Sequence, residues 1–351
     1  MSERSVGMVE IDGSFGEGGG QILRTALALS VIFKRALTLY HIRAKRKNPG
    51  LGHQHLMAVN ALAQISEARV EGNIIGSQKL TFIPGEISPG EYHFVIGTAG
   101  SVTLLLQALL LPLCLSRKGS RLILEGGTHV PWSPPYHYFS EVLFPILGFM
   151  GVSVGGKIDQ WGWYPKGGGT LHVEIQPSPF LGPISMLERG SLRKIRGFSA
   201  ASLIPKHVAE RQREEAIRRI EKEMKMKAEI TILPDPPSRG PGSFLFLVAE
   251  LEGALAGFSS LGRRGKKAEE VAGEAVDSLK DYLEARGCVD PHLADQLIPF
   301  MAMAKGNSSF TTTRVTEHLL TNLWVIQHFK NVRISMSGEK GEEGKVELFN
   351  E

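Results

Sequence analysis

The alternation of apolar and polar stretches predicts a recurring order of elements in the first half of the chain. Short apolar runs separated by glycine-rich or basic loops indicate strands, and longer apolar runs indicate helices. The first series consists of strands at 9–11 and 37–42, helices at 22–33 and 54–66, and strand-like stretches near 69–71 and 79–82. The second consists of strands at 92–96 and 121–125, helices at 102–115 and 137–150, and strand-like stretches at 152–154 and 170–175. A recurrence over about 80 residues indicates a supersecondary unit and not a solenoid.

The remainder of the chain predicts a third copy with extra material before it. The third copy would contain a helix at 294–304, a strand at 309–313, a helix that starts near His318, and strands at 332–336 and 345–349. The extra material has its own pattern, with a strand at 195–201, a charged helix at 206–225, strands at 229–233 and 244–250, and a helix at 267–285. We therefore predict an α/β fold of the α+β type. Residues 1–182 and 288–351 would form a large domain of three βαβαββ units, and 183–287 a smaller inserted α/β domain.

Composition and charge narrow the class of protein only slightly. Hydrophobic residues make up 42% and charged residues 22%, which is ordinary for a globular chain, and a net charge of +4 permits nucleic-acid binding without demonstrating it. Cys114 and Cys288 lack the spacing of a metal site and favour a reducing compartment. The polar N-terminus lacks a signal core, and the longest apolar run, 102–115, is too short to cross a bilayer. These features predict a cytoplasmic protein with no membrane partner.

A cluster of glycines places one carboxylate just before a predicted helix. Glu17 lies among Gly16, Gly18, Gly19 and Gly20. Glycines allow a ligand close to the backbone, and the helix N-terminus that follows favours phosphate. A carboxylate would repel phosphate unless a hard cation bridged them, so Glu17 is a candidate ligand for magnesium or manganese. The alternative is a solvated Glu in a glycine-rich turn.

Cations concentrate in the loop after the second predicted strand. Arg43, Lys45, Arg46 and Lys47 fall within five residues, and Arg24 in the first helix could join them. Guanidinium groups suit phosphate oxygens, although a solvated basic face would give the same pattern. Two glutamines also stand out. Gln54 begins a predicted helix and could contact a polar group, and Gln107 lies in an apolar helix where its amide needs a partner from the protein or a ligand.

One histidine occupies the first turn of a predicted helix. Thr316 is a plausible N-cap, so His318 would lie where unpaired N–H groups and the helix dipole favour an anion. A neutral imidazole can attack phosphorus, although an isolated His in a first turn more often makes a local hydrogen bond. Asp295 could orient the imidazole if the two helices pack together. Glu317 could raise the basicity of His318 or could simply favour the helix start.

Taken together, these segments resemble the RNA 3′-terminal phosphate cyclase family over essentially the whole chain. Each motif alone is weak, but seven in the same order are specific. The matching segments are Asp12-Gly13-x-x-Gly16-Glu17-Gly18-Gly19-Gly20-Gln21-Ile22-Leu23-Arg24, Arg43-Ala44-x-Arg46-x-x-Pro49-Gly50-Leu51, Gly97-Thr98-Ala99-Gly100-Ser101, Gly126-Gly127-Thr128, Gly162-x-Tyr164-Pro165-x-Gly167-Gly168-Gly169, Leu293-Ala294-Asp295-Gln296 and His318-Leu319-Leu320-Thr321-Asn322.

The resemblance implies a fold, an activity and roles for individual residues. The three units would resemble the C-terminal domain of a bacterial translation initiation factor. His318 would attack ATP to form a histidine–AMP, the AMP would pass to an RNA 3′-phosphate, and the neighbouring 2′-hydroxyl would close a 2′,3′-cyclic phosphate. Glu17 would hold the divalent cation, magnesium or manganese. The phosphates at the RNA end would be bound by Arg24, Arg43, Arg46 and Gln54. The nucleotide pocket would be lined by Gln107, Pro134, His292, Leu293, Ala294, Asp295 and Gln296.

Two alternatives to the cyclase remain at the level of the sequence. A non-catalytic relative would use the same fold to bind RNA in processing or ribosome assembly, but such chains lack the nucleophilic histidine that His318 supplies. A carboxyvinyl transferase has a related repeat architecture, but the chain shows no substrate-binding pattern of that family. Some cyclases have a tyrosine, thought to stack on adenine, where this chain has His292. An imidazole can also stack on a base. The expected partners are ATP and RNA with a 3′-phosphate, and self-association is left open.

Overall fold

The computed structural model describes residues 7–350. The glycine cluster lies between the first strand of its first sheet and the helix that follows. Strands β1 and β2 pair in parallel because a helix connects them, and β4 and β3 extend the sheet antiparallel in the order β1-β2-β4-β3. Val9, Ile11, Leu37 and Leu39 are buried beneath the helices. The elements are β1 (Val9–Asp12), α1 (Gly20–Phe33), β2 (Leu37–Tyr40), α2 (His53–Ile65), β3 (Arg69–Glu71) and β4 (Leu80–Ile83).

The second sheet has the order β5-β6-β8-β7, with a parallel pair followed by two antiparallel pairs. Its elements are β5 (Glu91–Val95), α3 (Val102–Cys114), β6 (Ser120–Gly126), α4 (Tyr136–Tyr138), a π-helical turn (Phe139–Leu143), α5 (Phe144–Phe149), β7 (Val154–Gln160) and β8 (Gly169–Ile175). The continuous helix predicted over 137–150 is therefore interrupted. Pro145 cannot donate a backbone hydrogen bond to the preceding turn, and a π-helical turn lies immediately before it.

The strands of the third sheet are separated along the chain by the strands of a fourth sheet. A two-residue strand, β9 (Ser185–Met186), comes first, and the chain then forms a sheet of order β11-β10-β12-β13 covered by two helices. That sheet contains β10 (Leu192–Ser202), α6 (His207–Met224), β11 (Ala228–Leu233), β12 (Gly242–Leu251), β13 (Leu255–Leu261) and α7 (Ala268–Glu284). Strand β12 is buried along most of its length because its neighbours pair on both sides and the helices cover it.

The chain then returns to complete the sheet that β9 began. Strand β9 pairs in parallel with β14, and β16 and β15 add antiparallel strands in the order β9-β14-β16-β15. The elements are α8 (Pro291–Met303), β14 (Ser308–Thr312), α9 (Glu317–Phe329), β15 (Arg333–Ser337) and β16 (Gly344–Phe349). Residues 7–350 thus form an α+β structure with several small mixed sheets, as the sequence predicted at the level of fold class.

Helix α1 lies at the centre of the helical layer and brings distant motifs together. It packs against α2, α3 and α9, and most of its side chains are buried from Gln21 to Val31. Phe15, in the turn before α1, stacks on Trp324 of α9 with ring centroids 4.0 Å apart. These contacts hold the glycine cluster against the start of α9. No helix within residues 7–350 is long and apolar enough to cross a membrane.

A buried aromatic cluster joins the second sheet to the fourth. His129 lies parallel to Trp161 at 4.1 Å and also contacts Phe244 of β12. His129 Nε2 lies 3.0 Å from His137 Nδ1, and the pKa of both imidazoles is lowered by burial, that of His137 to about 4. Both rings are therefore neutral at pH 7. A neutral imidazole can be buried among indole and phenyl rings at a lower free-energy cost than a charged one.

This cluster predicts that the fold loses stability in mild acid. An unfolded His titrates at about 6.5, so below that pH the unfolded chain takes up a proton that folded His137 does not bind until about pH 4. The stabilisation present above pH 6.5 is thus lost as pH falls towards 4, by about 1 to 2 kcal/mol near pH 5 for this one group. Urea unfolding near pH 7 and pH 5 should show a smaller pH effect in His137→Gln than in wild type. Substitution of the exposed His53 by Gln is the matched control, and an equal pH effect in His137→Gln would contradict the assignment.

Candidate active site

Helix α9 positions His318 in its first turn, as the sequence predicted. Thr316 Oγ1 accepts a hydrogen bond from the backbone N–H of Leu319 at 3.1 Å, which confirms Thr316 as the N-cap. The His318 side chain is about half exposed, at 46%. Glu317 turns away to pair with Lys340 at 2.5 Å. It therefore acts as a favourable charge at the helix start, and it does not contact the imidazole.

Gln21 fixes the orientation of the His318 ring. Its Nε2 donates to Asp295 Oδ2 at 3.0 Å and to the backbone oxygen of His318 at 3.2 Å. Its Oε1 consequently faces His318 Nδ1, at 2.6 Å. This network assigns the proton to Nδ1, because an amide oxygen can only accept. His318 Nε2 then carries the free lone pair and faces the cleft.

Asp295 acts on His318 through Gln21 and not directly. It lies on α8 and is 8% exposed. Burial raises its pKa to about 8, against the opposing effect of the Arg24 charge. Asn322 ties α8 to α9, since its Nδ2 donates to the backbone oxygen of Asp295 at 2.7 Å and its Oδ1 accepts from Thr25 at 2.8 Å. Asp295 therefore reaches the imidazole only through the side-chain amide of Gln21 and forms no direct hydrogen bond with it.

Glu17 lies on the open side of the imidazole. Its Oε2 is 3.6 Å from His318 Nε2 and 3.0 Å from Arg46 Nη2. Gly16 and Gly18 on either side have φ values of +55° and +57°, which glycine adopts without strain. Within residues 7–350 no group of three or more His, Cys, Asp or Glu residues could hold a metal ion. The donor set here is therefore a single carboxylate beside a free imidazole nitrogen.

The predicted phosphate-binding cations converge on the same turn. Arg46 lies against Gly19, Lys45 lies against Gly18 and donates to the backbone oxygen of Gly16 at 2.8 Å, and Arg24 lies close to Gly20. Arg43 donates to the Gly50 carbonyl at 2.7 Å. Burial lowers the pKa of the neighbouring His55, and the charges of Arg24, Arg43 and Arg46 lower it further, to about 3. The turn is therefore a strongly positive concavity.

The same field acts on His318. Burial lowers its pKa below 6.5; Arg24, His292 and Arg46 lower it further, and Glu17 opposes them. The imidazole is therefore neutral at pH 7, as a nucleophile must be. Burial also lowers the pKa of Arg24 to about 10, which leaves its guanidinium fully charged.

The start of α8 forms a second wall. Asp290 caps it by accepting from the backbone N–H groups of His292 and Leu293. His292 is exposed, whereas the side chains of Leu293 and Ala294 are buried in the core, so only their backbone could meet a ligand. Gln296 donates to the backbone oxygen of His292 at 2.8 Å.

The other predicted positions lie on α2, on α3 and in the loop that contacts α3. Gln107 is half-buried on α3. The carbonyl of Pro134 accepts from Thr103 on that helix at 2.7 Å. Gln54 Oε1 accepts the backbone N–H of Ser101 at 2.7 Å, so this oxygen holds the glycine turn 97–101 and is not free for a ligand.

Several buried polar atoms in this region have no partner among the described residues. They are Arg24 Nε, His55 Nδ1, Gln296 Oε1 and Thr321 Oγ1. Thr321 also lines a shallow pocket with Glu17, Gln21 and His318. Buried polar atoms normally find partners, so these four unsatisfied atoms are what a polar ligand with both donors and acceptors would complete.

Sequence analysis missed Gln21, Thr321 and Asn322 as separate candidates, although all three fall inside recognised segments. The available signal was polarity on an apolar helix, the same signal that singled out Gln107. Gln21 and Thr25 interrupt the apolar face of α1, and Thr321 and Asn322 interrupt that of α9. Their partners lie on other helices, which no local pattern indicates.

Comparison with known proteins identifies the family of this chain. The profile of the family described as RNA 3′-terminal phosphate cyclase matches residues 15–336. Proteins named RNA 3′-terminal phosphate cyclase from Methanopyrus kandleri and Staphylothermus marinus are 43% and 44% identical, each over 97% of this chain and 98% of the relative. One of the same name from Nostoc punctiforme is 40% identical over 94% of this chain and 96% of the relative. A match that spans the histidine, the glycine turn and the basic loop places this chain in the RNA 3′-terminal phosphate cyclase family.

Proposed function

We propose that this enzyme converts an RNA 3′-terminal phosphate to a 2′,3′-cyclic phosphodiester at the expense of ATP, through a covalent histidine–AMP. The observation that carries the proposal is the environment of His318. Its Nδ1 is bonded to Gln21, and its free Nε2 faces a positive concavity. Family membership supports cyclase chemistry of the ligase type, and the geometry supports this route to it.

The chemistry divides one difficult step into three transfers. His318 Nε2 attacks the α-phosphorus of ATP, a P–N bond forms, the bond to the bridging oxygen breaks, and pyrophosphate leaves. An oxygen of the RNA 3′-phosphate then takes the adenylyl group from His318, and the P–N bond breaks. The neighbouring 2′-hydroxyl attacks the activated phosphorus, loses its proton, and expels AMP. The transfer of AMP gives the RNA 3′-phosphate a good leaving group, which an unactivated phosphomonoester lacks.

The cations supply the electrostatic part of catalysis. Arg24 and Arg46 lie against the glycine turn, and Arg43 is close enough to His55, beside Gly20, to lower the pKa of that imidazole. Guanidinium groups fixed around a phosphoryl centre stabilise charge that develops on its oxygens. We therefore assign to them the triphosphate of ATP and, in the later steps, the RNA 3′-phosphate. Gln54 would contribute through its amide N–H groups, since its oxygen is already bonded to Ser101.

The nucleotide base would lie against the start of α8. Gln296 Oε1 is buried and has no partner in the described chain, so it can accept from an exocyclic amine such as that of adenine. The exposed imidazole of His292 offers a stacking face. Gln107, Pro134 and the backbone of Leu293 and Ala294 would complete the pocket.

A divalent cation fits this arrangement only as a bridge to substrate. Glu17 offers a single carboxylate, and magnesium commonly binds through one or two carboxylates plus substrate phosphates. When bound, magnesium or manganese would neutralise phosphate charge next to Glu17. In this proposal Glu17 would hold the ion.

The shared pairing order suggests how the chain is organised. All four sheets contain a parallel pair followed by two antiparallel pairs, but only in three of them do the strands lie in the order first, second, fourth, third along the chain. We interpret those three sheets as copies of one βαβαββ unit. The fourth sheet, with α6 and α7, would be a domain inserted into the last copy. Because β9 pairs with β14, the insertion in this interpretation starts after Met186 and not at 183. A cytoplasmic location stays a prediction from the sequence, and self-association stays open.

The titration of His318 provides a test of its role. Since its pKa lies below 6.5, the second-order rate constant for adenylylation should rise with pH through that lowered pKa and level off near neutrality. Glu17→Gln removes a charge that raises this pKa, so the acid limb should move to lower pH. Arg46→Gln removes a charge that lowers it, so the limb should move to higher pH. Rates at low ATP report the free enzyme, and limbs that do not move in opposite directions would contradict the assignment.

The competing function is RNA binding without chemistry, as in a ribosome-assembly factor. Incubation with ATP labelled at the α-phosphorus distinguishes the two, because only a cyclase acquires a covalent label. The bond should be labile in acid and stable in alkali. A chain that bound RNA tightly and never acquired label would leave the non-catalytic function as the better account.

A further inference from the structure

A surface of aromatic and basic side chains lies beyond the glycine turn 97–101. We name it the RNA track and define it by Trp132, Tyr164, Lys166 and Arg239. The Trp132 residue is 95% exposed and Tyr164 is 64% exposed. Lys166 and Arg239 are also exposed. No part of the mechanism proposed above uses these four side chains.

Backbone contacts connect the RNA track to the active-site cleft. Gln54, on the cleft side, holds the N–H of Ser101 at the end of the glycine turn. Gly167 packs on the backbone of Thr98 and Ala99 in the same turn, where a Cβ would approach Ala99 Cα to 2.8 Å. The surface therefore continues from the cleft, through turn 97–101, to the loop that carries Tyr164 and Lys166.

The next contacts extend the track onto the fourth sheet. The Arg239 side chain lies over Gly168, so that a Cβ there would approach its Cδ to 2.5 Å. The Lys166 stem lies against Gly240. The backbone N–H of Trp161 donates to Pro237 at 2.7 Å, which fixes the loop bearing Arg239 to the loop bearing Lys166.

The two aromatic rings project from adjacent loops. The N–H groups of Thr128 and His129 both donate to the Gly162 carbonyl, and His129 forms a β-bridge with Trp163. Trp132 therefore extends from the loop next to the one that bears Tyr164. Trp132 and Tyr164 thus present large aromatic faces to solvent on neighbouring loops, where bases could stack on them.

The charges of the RNA track are free, in contrast to those elsewhere on the fourth sheet. Lys166 and Arg239 form no ion pair with any residue in 7–350. On α6, by comparison, Arg211, Arg218 and Arg219 all pair with carboxylates. The charged helix is thus an ion-paired face, and the one carboxylate in the Arg239 loop, Asp235, accepts from the Leu203 N–H.

We propose that the RNA track binds the single-stranded RNA segment on the 5′ side of the terminal phosphate. Bases stack on Trp132 and Tyr164, and backbone phosphates contact Lys166 and Arg239. Aromatic faces interleaved with cations are the platform that binds single strands without reading sequence. The proposal rests on the proposed function for the identity of the strand, and it gives the fourth sheet a role in holding the substrate.

The test compares RNA lengths in two double variants. A dinucleotide with a 3′-phosphate reaches only the cleft, whereas an RNA of about ten nucleotides would also cover the track. Trp132→Ala/Tyr164→Ala should lower kcat/KM for the longer RNA by about 10- to 100-fold and leave the dinucleotide and self-adenylylation unchanged. Lys166→Ala/Arg239→Ala should weaken binding of the longer RNA and make its log–log salt dependence shallower by about 1.4.

Matched controls exist outside the RNA track, in α5 and in the loop after α3. Phe149 is 75% exposed at the end of α5, and Arg117 and Lys118 are exposed cations at the far end of α3. Phe149→Ala and Arg117→Ala/Lys118→Ala should behave as wild type with both RNAs. Melting temperatures of all variants should agree with that of wild type.

Several results would overturn the proposal. Wild type that used both RNAs equally well would show that no strand lies on the track. A raised KM for ATP in Trp132→Ala would place the indole in the nucleotide pocket instead. If wild type formed no adenylate, the proposed function would fail separately; fluorescence anisotropy of the longer RNA without ATP would then decide the track alone, and equal affinities in wild type and variants would reject it.

Discussion

Replacement of His318 by Ala is expected to abolish covalent adenylylation, with a loss of at least about 10³-fold in cyclase activity. The imidazole is the only nucleophile that the protein supplies in the proposed route, and Ala leaves a side chain that cannot form the P–N bond. Incubation with α-labelled ATP, followed by denaturing electrophoresis, measures the label directly. The folded structure should tolerate the change because the side chain is about half exposed.

His328 provides the matched control for this prediction. It lies on the same helix, and its Nδ1 contacts the backbone oxygen of Trp324 at 2.9 Å. His328→Ala should acquire label at the wild-type rate. Undiminished label in His318→Ala would mean that another side chain is the nucleophile, and the account of the cleft would have to be abandoned.

Replacement of Gln21 by Met is expected to slow adenylylation by about 10- to 100-fold while ATP still binds. Met retains the length of the side chain but cannot accept from Nδ1 or donate to Asp295. The imidazole then loses the hydrogen bond that keeps its free nitrogen towards the cleft, and both tautomers become populated. Single-turnover labelling at saturating ATP measures the chemical step, and a separate titration measures ATP affinity.

Gln21→Glu distinguishes a role of Gln21 in orienting the His318 ring from a role in packing alone. A carboxylate still accepts from Nδ1, so part of the activity should return. Its charge also raises the pKa of His318, so the acid limb of the rate profile should move to higher pH. A merely structural role for Gln21 would produce no such shift. Substitution of the exposed Gln64 of α2 by Met is the control, and a Gln21→Met protein with wild-type labelling kinetics would remove Gln21 from the account.

Local patterns predicted the candidate residues better than the contacts among them. Glu17, Arg46 and His318 each lie beside a glycine cluster, a basic run or a helix start, features that a short window of sequence contains. The bond between Gln21 and His318 joins residues 297 positions apart. Such a contact depends on the packing of α1 against α9, which apolar periodicity predicts only as two buried helix faces.

The same holds for the fold: elements with a clear local pattern were predicted, and elements without one were not. Periodicity predicted α1, α3 and α9 close to their observed bounds because each is long and apolar. Strand β9 was missed because two residues carry no periodicity, although its pairing with β14 completes a sheet. The strand predicted at 152–154 extends instead over Val154–Gln160, where Gly155 and Gly156 obscure the alternation.

The most direct test of the central claim is the chemical location of the adenylate. Wild-type protein incubated with ATP and the divalent cation should yield, after proteolysis at alkaline pH and mass spectrometry, one AMP-bearing peptide with the modification on His318. The adduct should disappear when an RNA bearing a 3′-phosphate is added, as AMP and cyclic-ended RNA appear. AMP on a lysine or another histidine, or RNA cyclisation with no adduct on the protein at any time, would contradict the account.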